Sequence, residues 1–212
     1  MTSSSPRFGV IVPVKPPAVA KSRLGRLGDD VRRSLAVAFA ADTIEAALRA
    51  GLVDVVLAVT DDHRLAADLR AMGAEVMPDG TTDDLNGSLV QAAAELARRC
   101  PGRRPTALCA DLPALRPDDL DRALAASAEH RLGFVADADR VGTTMLVAED
   151  TASFRPAFGP GSRVEHRSWG AVEIELEDLD RLRRDVDTPD DLAAALRMGI
   201  GPRSSRVTAD LF

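Results

Sequence analysis

The stretch Thr106-Ala-Leu-Cys-Ala-Asp-Leu-Pro-Ala-Leu115 places a carboxylate directly after a short apolar run. The run, Thr106–Ala110, has the length and composition of a buried strand, and Pro117 suits the first residue of a helix that ends near Glu129. Asp111 would then lie at the end of a strand, before the next helix begins. A strand followed by a helix is the unit from which α/β domains are built.

The same alternation of apolar runs and helical periods continues in both directions along the chain. Further strands are predicted at Phe8–Val14, Val53–Thr60, Ala74–Met77, Gly133–Ala136, Thr143–Ala148 and Ala171–Leu176. Helices are predicted from a cap at Asp29-Asp30 to near Gly51, from Asp61 or Asp62 to Met72, at Leu85–Cys100, and at Asp190–Met198. This order predicts a single-domain, three-layer α/β/α fold with a mostly parallel, Rossmann-like sheet. Residues 1–7 would form a flexible N-terminus and residues 8–212 the domain.

The length and charge of the chain exclude several classes of protein. A chain of 212 residues suits one domain with a full core. The net charge of -6 argues against a general nucleic-acid binder, and no apolar stretch approaches the roughly 20 residues that span a bilayer. The two cysteines have neither metal-ligand spacing nor the pattern of a disulfide framework, which favours a cytoplasmic location.

Three cations follow the first predicted strand, in Pro13-Val-Lys15 and Ala20-Lys-Ser-Arg-Leu24. Lys15, Lys21 and Arg23 could offset the charge of a nucleoside triphosphate, which must be stabilised in phosphoryl transfer. The glycine-rich phosphate loops are absent from the sequence. A solvated basic loop would have the same composition, so both interpretations stay open here.

Carboxylates occur at a second place, Asp185-Val-Asp187. Alternate residues of an extended segment point to the same side, so Asp185 and Asp187 could share a divalent ion. Asp111 and Asp187 could instead cap the helices that follow them. Asp190 and Asp191 are better explained as charges in the first turn of the last helix.

Two polar loops have the composition of ligand loops. Gly142-Thr143-Thr144 opens a predicted strand, and Phe158-Gly-Pro-Gly-Ser162 precedes a short polar helix. Amides and hydroxyls in such loops can bind a carboxylate or a phosphate, although each loop alone would be an ordinary turn. His166 is predicted to be a surface residue.

Taken together, these motifs resemble one family over nearly the whole chain. They are Pro13-Val-Lys15 with Ala20-Lys-Ser-Arg-Leu24, Asp84-Leu-Asn-Gly87, Ala110-Asp-Leu-Pro-Ala-Leu115, Gly142-Thr143, Arg155-Pro-Ala-Phe-Gly-Pro-Gly-Ser162 with His166, Asp185-Val-Asp-Thr-Pro-Asp-Asp-Leu192 and Met198-Gly-Ile-Gly-Pro202. The family is that of the 2-phospho-L-lactate or phosphoenolpyruvate guanylyltransferases of coenzyme F(420) biosynthesis. Its fold is that of the nucleotide-diphospho-sugar transferases and the molybdenum-cofactor nucleotidyltransferases.

The resemblance implies a function and a role for each motif. GMP would pass from GTP to phosphoenolpyruvate or 2-phospho-L-lactate, with release of pyrophosphate. Asp111, Asp185 and Asp187 would hold Mg2+, as two ions, and Asp111 would be catalytic together with Lys15, Lys21 and Arg23. Those three cations and Asn86 would bind the nucleotide. The carboxylate of the three-carbon acid would be bound by Thr143 or Thr144, Gly159 and Ser162.

Two other functions are compatible with parts of the sequence. The D-x-D of residues 185–187 also occurs in metal-dependent glycosyltransferases, although here it lies near the C-terminus. A nucleotide-binding module without catalysis would need the cationic loop but not two carboxylate sites. The expected partners are small molecules rather than nucleic acid or an integral membrane contact, and a homodimer is left open.

Overall fold

A computed structural model of the chain describes residues 6–14, 28–80 and 84–209. The strands of the described residues are β1 (Phe8–Pro13), β2 (Val53–Val59), β3 (Glu75–Met77), β4 (Arg104–Leu108), β5 (Leu132–Ala136), β6 (Thr143–Ala148) and β7 (Val172–Glu173). The helices are α1 (Asp29–Arg49), α2 (His63–Ala71), α3 (Leu85–Arg99), α4 (Pro117–Ser127), α5 (Ser162–Ser168), α6 (Asp180–Arg183), α7 (Pro189–Met198) and α8 (Pro202–Ala209).

The described strands form one sheet in the order β3-β2-β1-β4-β6-β5-β7. Strand β1 pairs in parallel with β2 and β4, and β2 pairs in parallel with β3. Strand β6 is antiparallel to both of its neighbours, while β5 and β7 are parallel to each other. The prediction of a mostly parallel α/β sheet is confirmed. Because β6 is reversed, its first residue lies at the edge where the other strands end.

Side chains of the central strand alternate between two cores. Val10 and Val12 pack with residues of α1, α2 and α4 on one face, and Ile11 packs with residues of α3 on the other. This period of two is expected for a strand that is buried on both faces. The helices on both faces give the predicted three layers.

Two strands differ from their predicted bounds by more than one residue at an end. Strand β4 ends at Leu108 rather than Ala110 because the chain turns towards α1, where the Thr43 hydroxyl donates to Ala110 O (3.3 Å) and accepts from Leu112 N (3.1 Å). Strand β7 covers only Val172–Glu173 of the predicted 171–176. Beyond it, the Arg183 guanidinium donates to Ile174 O (2.9 Å) and Ala136 O (3.0 Å), so a side chain replaces the strand ladder.

Two helices, α6 and α8, were not predicted. Helix α8 begins where the buried Asp42 of α1 accepts the amides of Arg203 (3.2 Å) and Ser204 (2.7 Å). At the start of α1, Gly28 is the N-cap, and the predicted caps Asp29 and Asp30 lie in the first turn. The contacts of Asp42 with the start of α8 join residues more than 160 positions apart, which helical periodicity does not reveal.

The N-terminal boundary of the domain stays a prediction. Within the segment assigned to a flexible N-terminus, Arg7 is already anchored, since its Nε donates to Asp54 Oδ1 at 2.6 Å. Among the helices of the described residues, none combines the length and apolar character that crossing a membrane requires.

Candidate functional site

Two adjoining cavities open at the edge where the parallel strands end. The first, the apolar cavity, has a volume of about 240 Å³ and is lined by Pro13, Val14, Leu89, Ala110 and Asp111 among others. The second, the acidic cavity, has a volume of about 580 Å³ and is lined by Asp137, Asp139, Asp185, Asp187, Asp191, Gly142, Thr143 and the loop from Gly159 to Ser162. Leu85, Cys109 and Phe158 line both cavities. The edge is where open α/β sheets bind their ligands.

Asp111 lies on a loop that is fixed from two sides. The hydroxyl of Thr43 holds the loop on the side of α1, as described above. On the other side, Val186 N donates to Asp111 O at 3.1 Å. The backbone of the D-x-D segment therefore lies directly against the backbone of Asp111, and two carboxylate segments from distant parts of the sequence meet.

The side chains of the D-x-D segment, residues 185–187, alternate between the protein interior and the acidic cavity, as the sequence predicts. Val186 is fully buried, whereas Asp185 and Asp187 are half-buried and line the acidic cavity. Helix α7 is capped by Thr188, which forms a capping box with Asp191. The alternative in which Asp187 caps this helix is therefore wrong, because the cap is one residue further on.

Asp191 has structural partners, in agreement with its predicted place in the helix. Its carboxylate accepts from Thr188 N (2.9 Å) and pairs with Arg184 Nη1 (2.8 Å). Burial acts to raise the pKa of Asp191, but the hydrogen bonds from Thr188 and Arg184 outweigh it and hold the pKa below its ordinary value. Asp190 is exposed.

In the part of the chain that the structure describes, no three histidine, cysteine or acidic side chains converge closely enough to hold a metal ion. Mg2+ is usually bound by one or two carboxylates together with water and substrate phosphates. Carboxylate oxygens of Asp111, Asp185 and Asp187 have the chemistry that this ion requires and lie along the two cavities. Their role as metal ligands stays a prediction.

A hydrogen-bonded chain of three side chains lies at the far wall of the acidic cavity. The Ser162 and Thr143 hydroxyls are 3.1 Å apart, and Thr143 Oγ1 is 2.9 Å from His166 Nδ1. All three side chains are buried. The prediction that His166 lies on the surface is wrong, because the turn of α5 directs its ring between Phe134 and Phe158, with ring centroids 5.6 Å away on both sides.

An irregularity in the sheet decides which threonine lines the cavity. Val135 pairs with Met145, but the next residue, Ala136, pairs with Thr143, so the register skips Thr144. Thr143 lines the cavity. The Thr144 hydroxyl is buried and has no hydrogen-bond partner among the described residues. The geometry therefore favours Thr143 of the two predicted contacts.

Asn86 clamps the loop that separates the two cavities. Its amide donates to Phe158 O (3.0 Å) and accepts from Phe158 N (2.8 Å). Asp84 starts the helix below it by accepting from Gly87 N (2.9 Å). The structure thus places the predicted nucleotide-binding Asn86 beside both cavities, with its amide engaged in holding the loop. A contact with the nucleotide stays a prediction.

Backbone angles and lack of space explain why glycine occupies three positions in the two ligand loops. Gly159 and Gly161 have φ values of 143° and 75°, in the region that favours glycine. Gly142 has no room for a side chain, since a Cβ there would lie 2.5 Å from Asp137 Oδ2. That carboxylate holds the turn by accepting from Val141 N (2.8 Å) and Gly142 N (2.7 Å).

Lys15, Lys21 and Arg23 lie outside the described residues, so their predicted contacts with the triphosphate stay predictions. The sequence did not point to Thr43, Asp137 or Arg183, which position the loops around the site. Asp137 had a local signal, because an Asp that precedes a glycine-containing turn often caps it. Thr43 and Arg183 act on residues far away in sequence and had none.

The fold defines a class of protein, those with the nucleotide-diphospho-sugar transferase fold. A crystal structure from Desulfovibrio desulfuricans G20, described as a nucleotide-diphospho-sugar transferase, superposes with a TM-score of 0.71 at 17% identity and covers 97% of this chain and 95% of that one. At this identity the likeness shows the fold alone.

The chain belongs to the family described as "Guanylyl transferase CofC like", whose model matches residues 8–207. A relative from Thermomonospora curvata, named phosphoenolpyruvate guanylyltransferase, is 50% identical and aligns with 95% of this chain and 89% of its own length. One of the same name from Streptomyces scabiei is 49% identical over 97% of both chains. Family membership makes the protein a guanylyltransferase and confirms the resemblance inferred from its motifs.

Proposed function

We propose that the protein transfers GMP from GTP to a phosphorylated three-carbon acid, with phosphoenolpyruvate as the first candidate, in coenzyme F(420) biosynthesis. The relatives at 49–50% identity carry the name of that activity. The observation that carries the proposal is the pair of adjoining cavities, which share a wall at Phe158 and have carboxylates along both. A reaction that joins two different substrates needs two neighbouring binding sites.

The apolar cavity suits the nucleoside of GTP. It lies against Pro13 and Val14, and Lys15 follows them directly in the sequence. A base bound there would have its phosphates near the cationic loop and near Asp111. The clamp between Asn86 and Phe158 would hold the wall of this site in place.

The acidic cavity suits the three-carbon acid only with added positive charge. Its five aspartates would repel an anionic phosphate. We therefore propose that Asp185 and Asp187 of this cavity, together with Asp111 of the adjoining apolar cavity, hold Mg2+ between the two. When bound, the ion would supply positive charge to the phosphate oxygens. At the far wall, the hydroxyls of Thr143 and Ser162 would bind the carboxylate of the acid.

The transfer needs no general base. A phosphate oxygen of the acid attacks the α-phosphorus of GTP and forms a new bond to it. The bond from the α-phosphorus to the oxygen that bridges it to the β-phosphorus breaks, and pyrophosphate leaves with that oxygen. The attacking phosphate is already an anion near neutral pH. His166 is therefore not needed as a base, and its ring is engaged at both nitrogens. The task of the side chains is to position two substrates and to offset their charge.

The proposal is tested by measuring pyrophosphate release with GTP, Mg2+ and each acid in turn: phosphoenolpyruvate, 2-phospho-L-lactate and 3-phosphoglycerate. Release that depends on one of these acids supports it. No release with any of them, or transfer of a sugar from a nucleotide sugar, overturns it. Reactions with CTP or ATP in place of GTP are the controls that test whether the enzyme selects guanine.

We place the reaction in the cytoplasm, since the two cysteines of the sequence have neither metal-ligand spacing nor the pattern of a disulfide framework, as is usual in a reducing compartment. A homodimer stays a prediction, which light scattering of the purified protein would test.

A further inference from the structure

His166 is a fully buried polar residue that the proposed reaction does not use. Its Nε2 accepts a hydrogen bond from Ala157 N at 3.0 Å. A backbone amide can only donate, so Nε2 carries no proton in this arrangement. The direction of one hydrogen bond is thereby fixed by the main chain.

The other ring nitrogen must then carry the proton of the neutral ring. Burial lowers the pKa of His166 to about 4, so the ring is neutral near pH 7. Nδ1, which lies 2.9 Å from Thr143 Oγ1, therefore donates to the Thr143 hydroxyl. Thr143 is left with one lone pair and its own proton for other partners.

The next link is the hydrogen bond between the Ser162 and Thr143 hydroxyls. These two groups have two protons between them, and the bond that joins them uses one. Because His166 donates to Thr143 rather than accepting from it, the second proton is available to a ligand in the acidic cavity, which both residues line. With the opposite tautomer, Thr143 would donate to His166 and Ser162 to Thr143, and both protons would be consumed.

We propose that His166 is a positioning residue that sets the direction of the Thr143–Ser162 hydrogen bonds so that the pair presents a donor to the carboxylate of the acid. This inference rests on the proposed function, because it assumes that the acid binds at this pair. The same arrangement makes the Thr143 and Ser162 hydroxyls selective between ligands. A carboxylate can accept the proton that they present, whereas a primary amide that turns its NH2 group towards them is disfavoured.

The tautomer can be measured without any substrate. Imidazole ¹⁵N NMR of the whole protein distinguishes protonated from unprotonated ring nitrogens, and the chain has three histidines. The His166 signals are those missing from the His166→Gln variant. We expect a proton on Nδ1 and none on Nε2 at neutral pH. A proton on Nε2 overturns the inference whether or not the proposed function holds.

Two variants separate donation to Thr143 from support of the loop. The amide of His166→Gln lies near the position of Nε2 and can still accept from Ala157 N, but it removes the donor at Nδ1. The amide of His166→Asn lies near Nδ1 and keeps a donor for Thr143, but it gives up the contact with Ala157.

We expect the Gln variant to raise KM for phosphoenolpyruvate about tenfold to a hundredfold, with KM for GTP unchanged, and the Asn variant to restore most of this loss. An unchanged KM for the acid in the Gln variant overturns the inference, as do equal increases for both substrates. If the wild type does not turn over any of the acids, the proposed function fails, while the NMR experiment still decides the tautomer.

Discussion

The backbone amide of Val186 donates to the carbonyl oxygen of Asp111 at 3.1 Å. This bond joins the loop after β4 to the D-x-D segment, which lies about seventy-five residues further along the chain. Since Val186 is buried, its two aspartate neighbours are held at the acidic cavity. The contact between the two backbones supports a shared role for their carboxylates, which can be tested by mutation.

Replacement of Asp111 by Asn should abolish turnover and leave the fold intact. The amide keeps the shape of the side chain but loses the charge proposed to bind Mg2+. The measurement is pyrophosphate release over a range of Mg2+ concentrations, beside a thermal melt. Asp190→Asn is the matched control, because this residue is an exposed first-turn charge of α7 worth about 0.3–1 kcal/mol. Normal activity of the Asp111 variant at limiting Mg2+ would contradict the proposed metal site.

The cationic loop should matter for GTP and little for folding. Lys15→Ala or Arg23→Ala should lower kcat/KM for GTP about tenfold or more, because each removes a charge-assisted contact with the triphosphate. Arg33→Ala, which removes a charge from the exposed face of α1, is the control. Steady-state kinetics beside thermal melts decide the matter. Wild-type kinetics in both loop variants would favour a solvated basic loop.

Replacement of Ser162 by Ala should affect the acid and not the nucleotide. One hydrogen bond to a charged partner is worth about 1.5–3 kcal/mol, so KM for the acid should rise about tenfold to a hundredfold. KM for GTP should stay near its wild-type value. Ser168→Ala is the control, since this residue ends the same helix and its hydroxyl donates to Glu165 O on the surface. A rise confined to GTP would mean that the two cavities are assigned the wrong way round.

Replacement of Asn86 by Asp should weaken both sites together. The change removes the donor to Phe158 O and places a carboxylate oxygen against that carbonyl. We expect a loss of about 1–3 kcal/mol in the free energy of unfolding and a higher KM for both substrates, because Phe158 lines both cavities. Gln91→Glu makes the same chemical change at an exposed position of α3 and should be nearly neutral. An Asn86→Asp variant with wild-type stability would show that the clamp contributes little.

The stability of the fold should depend on pH through His166. Burial lowers its pKa from 6.5 to about 4, so between these values the unfolded chain binds a proton that the folded protein does not. The contribution of the neutral His166 ring to the free energy of unfolding is fully present above about pH 6.5 and is lost as the pH falls towards 4. The difference in free energy of unfolding between wild type and His166→Gln should narrow by about 3 kcal/mol over this range. Urea titrations at several pH values measure it.

The exposed His63 provides the control for this pH dependence. Its replacement by Gln makes the same chemical change at an exposed position and is measured beside the His166 variant. A difference in free energy of unfolding between the wild type and His166→Gln that stays constant from about pH 6.5 to about pH 4 would contradict the prediction. It would mean that folding does not lower the pKa of the His166 ring.

Local patterns in the sequence were enough to predict the fold class and most of its elements. Strand β6 has the predicted bounds, Thr143–Ala148, because an apolar run between polar turns is a local signal. Helix α4 begins at the predicted Pro117, since proline favours the first helical position. The order of such elements, with the ordered motifs, was also enough to identify the family.

The details of the candidate site were decided by tertiary contacts. A register shift between β5 and β6 placed Thr143 opposite Ala136, and packing between Phe134 and Phe158 buried His166. Neither event leaves a trace in the spacing of nearby residues, because each depends on how strands pair and side chains pack once the chain has folded. The sequence by itself determined the fold class, most of the elements and the family they make. Only the tertiary structure decided which hydroxyl lines the cavity and in which direction its hydrogen bonds run, since hydrogen bonds and burial depend on atoms brought together by folding.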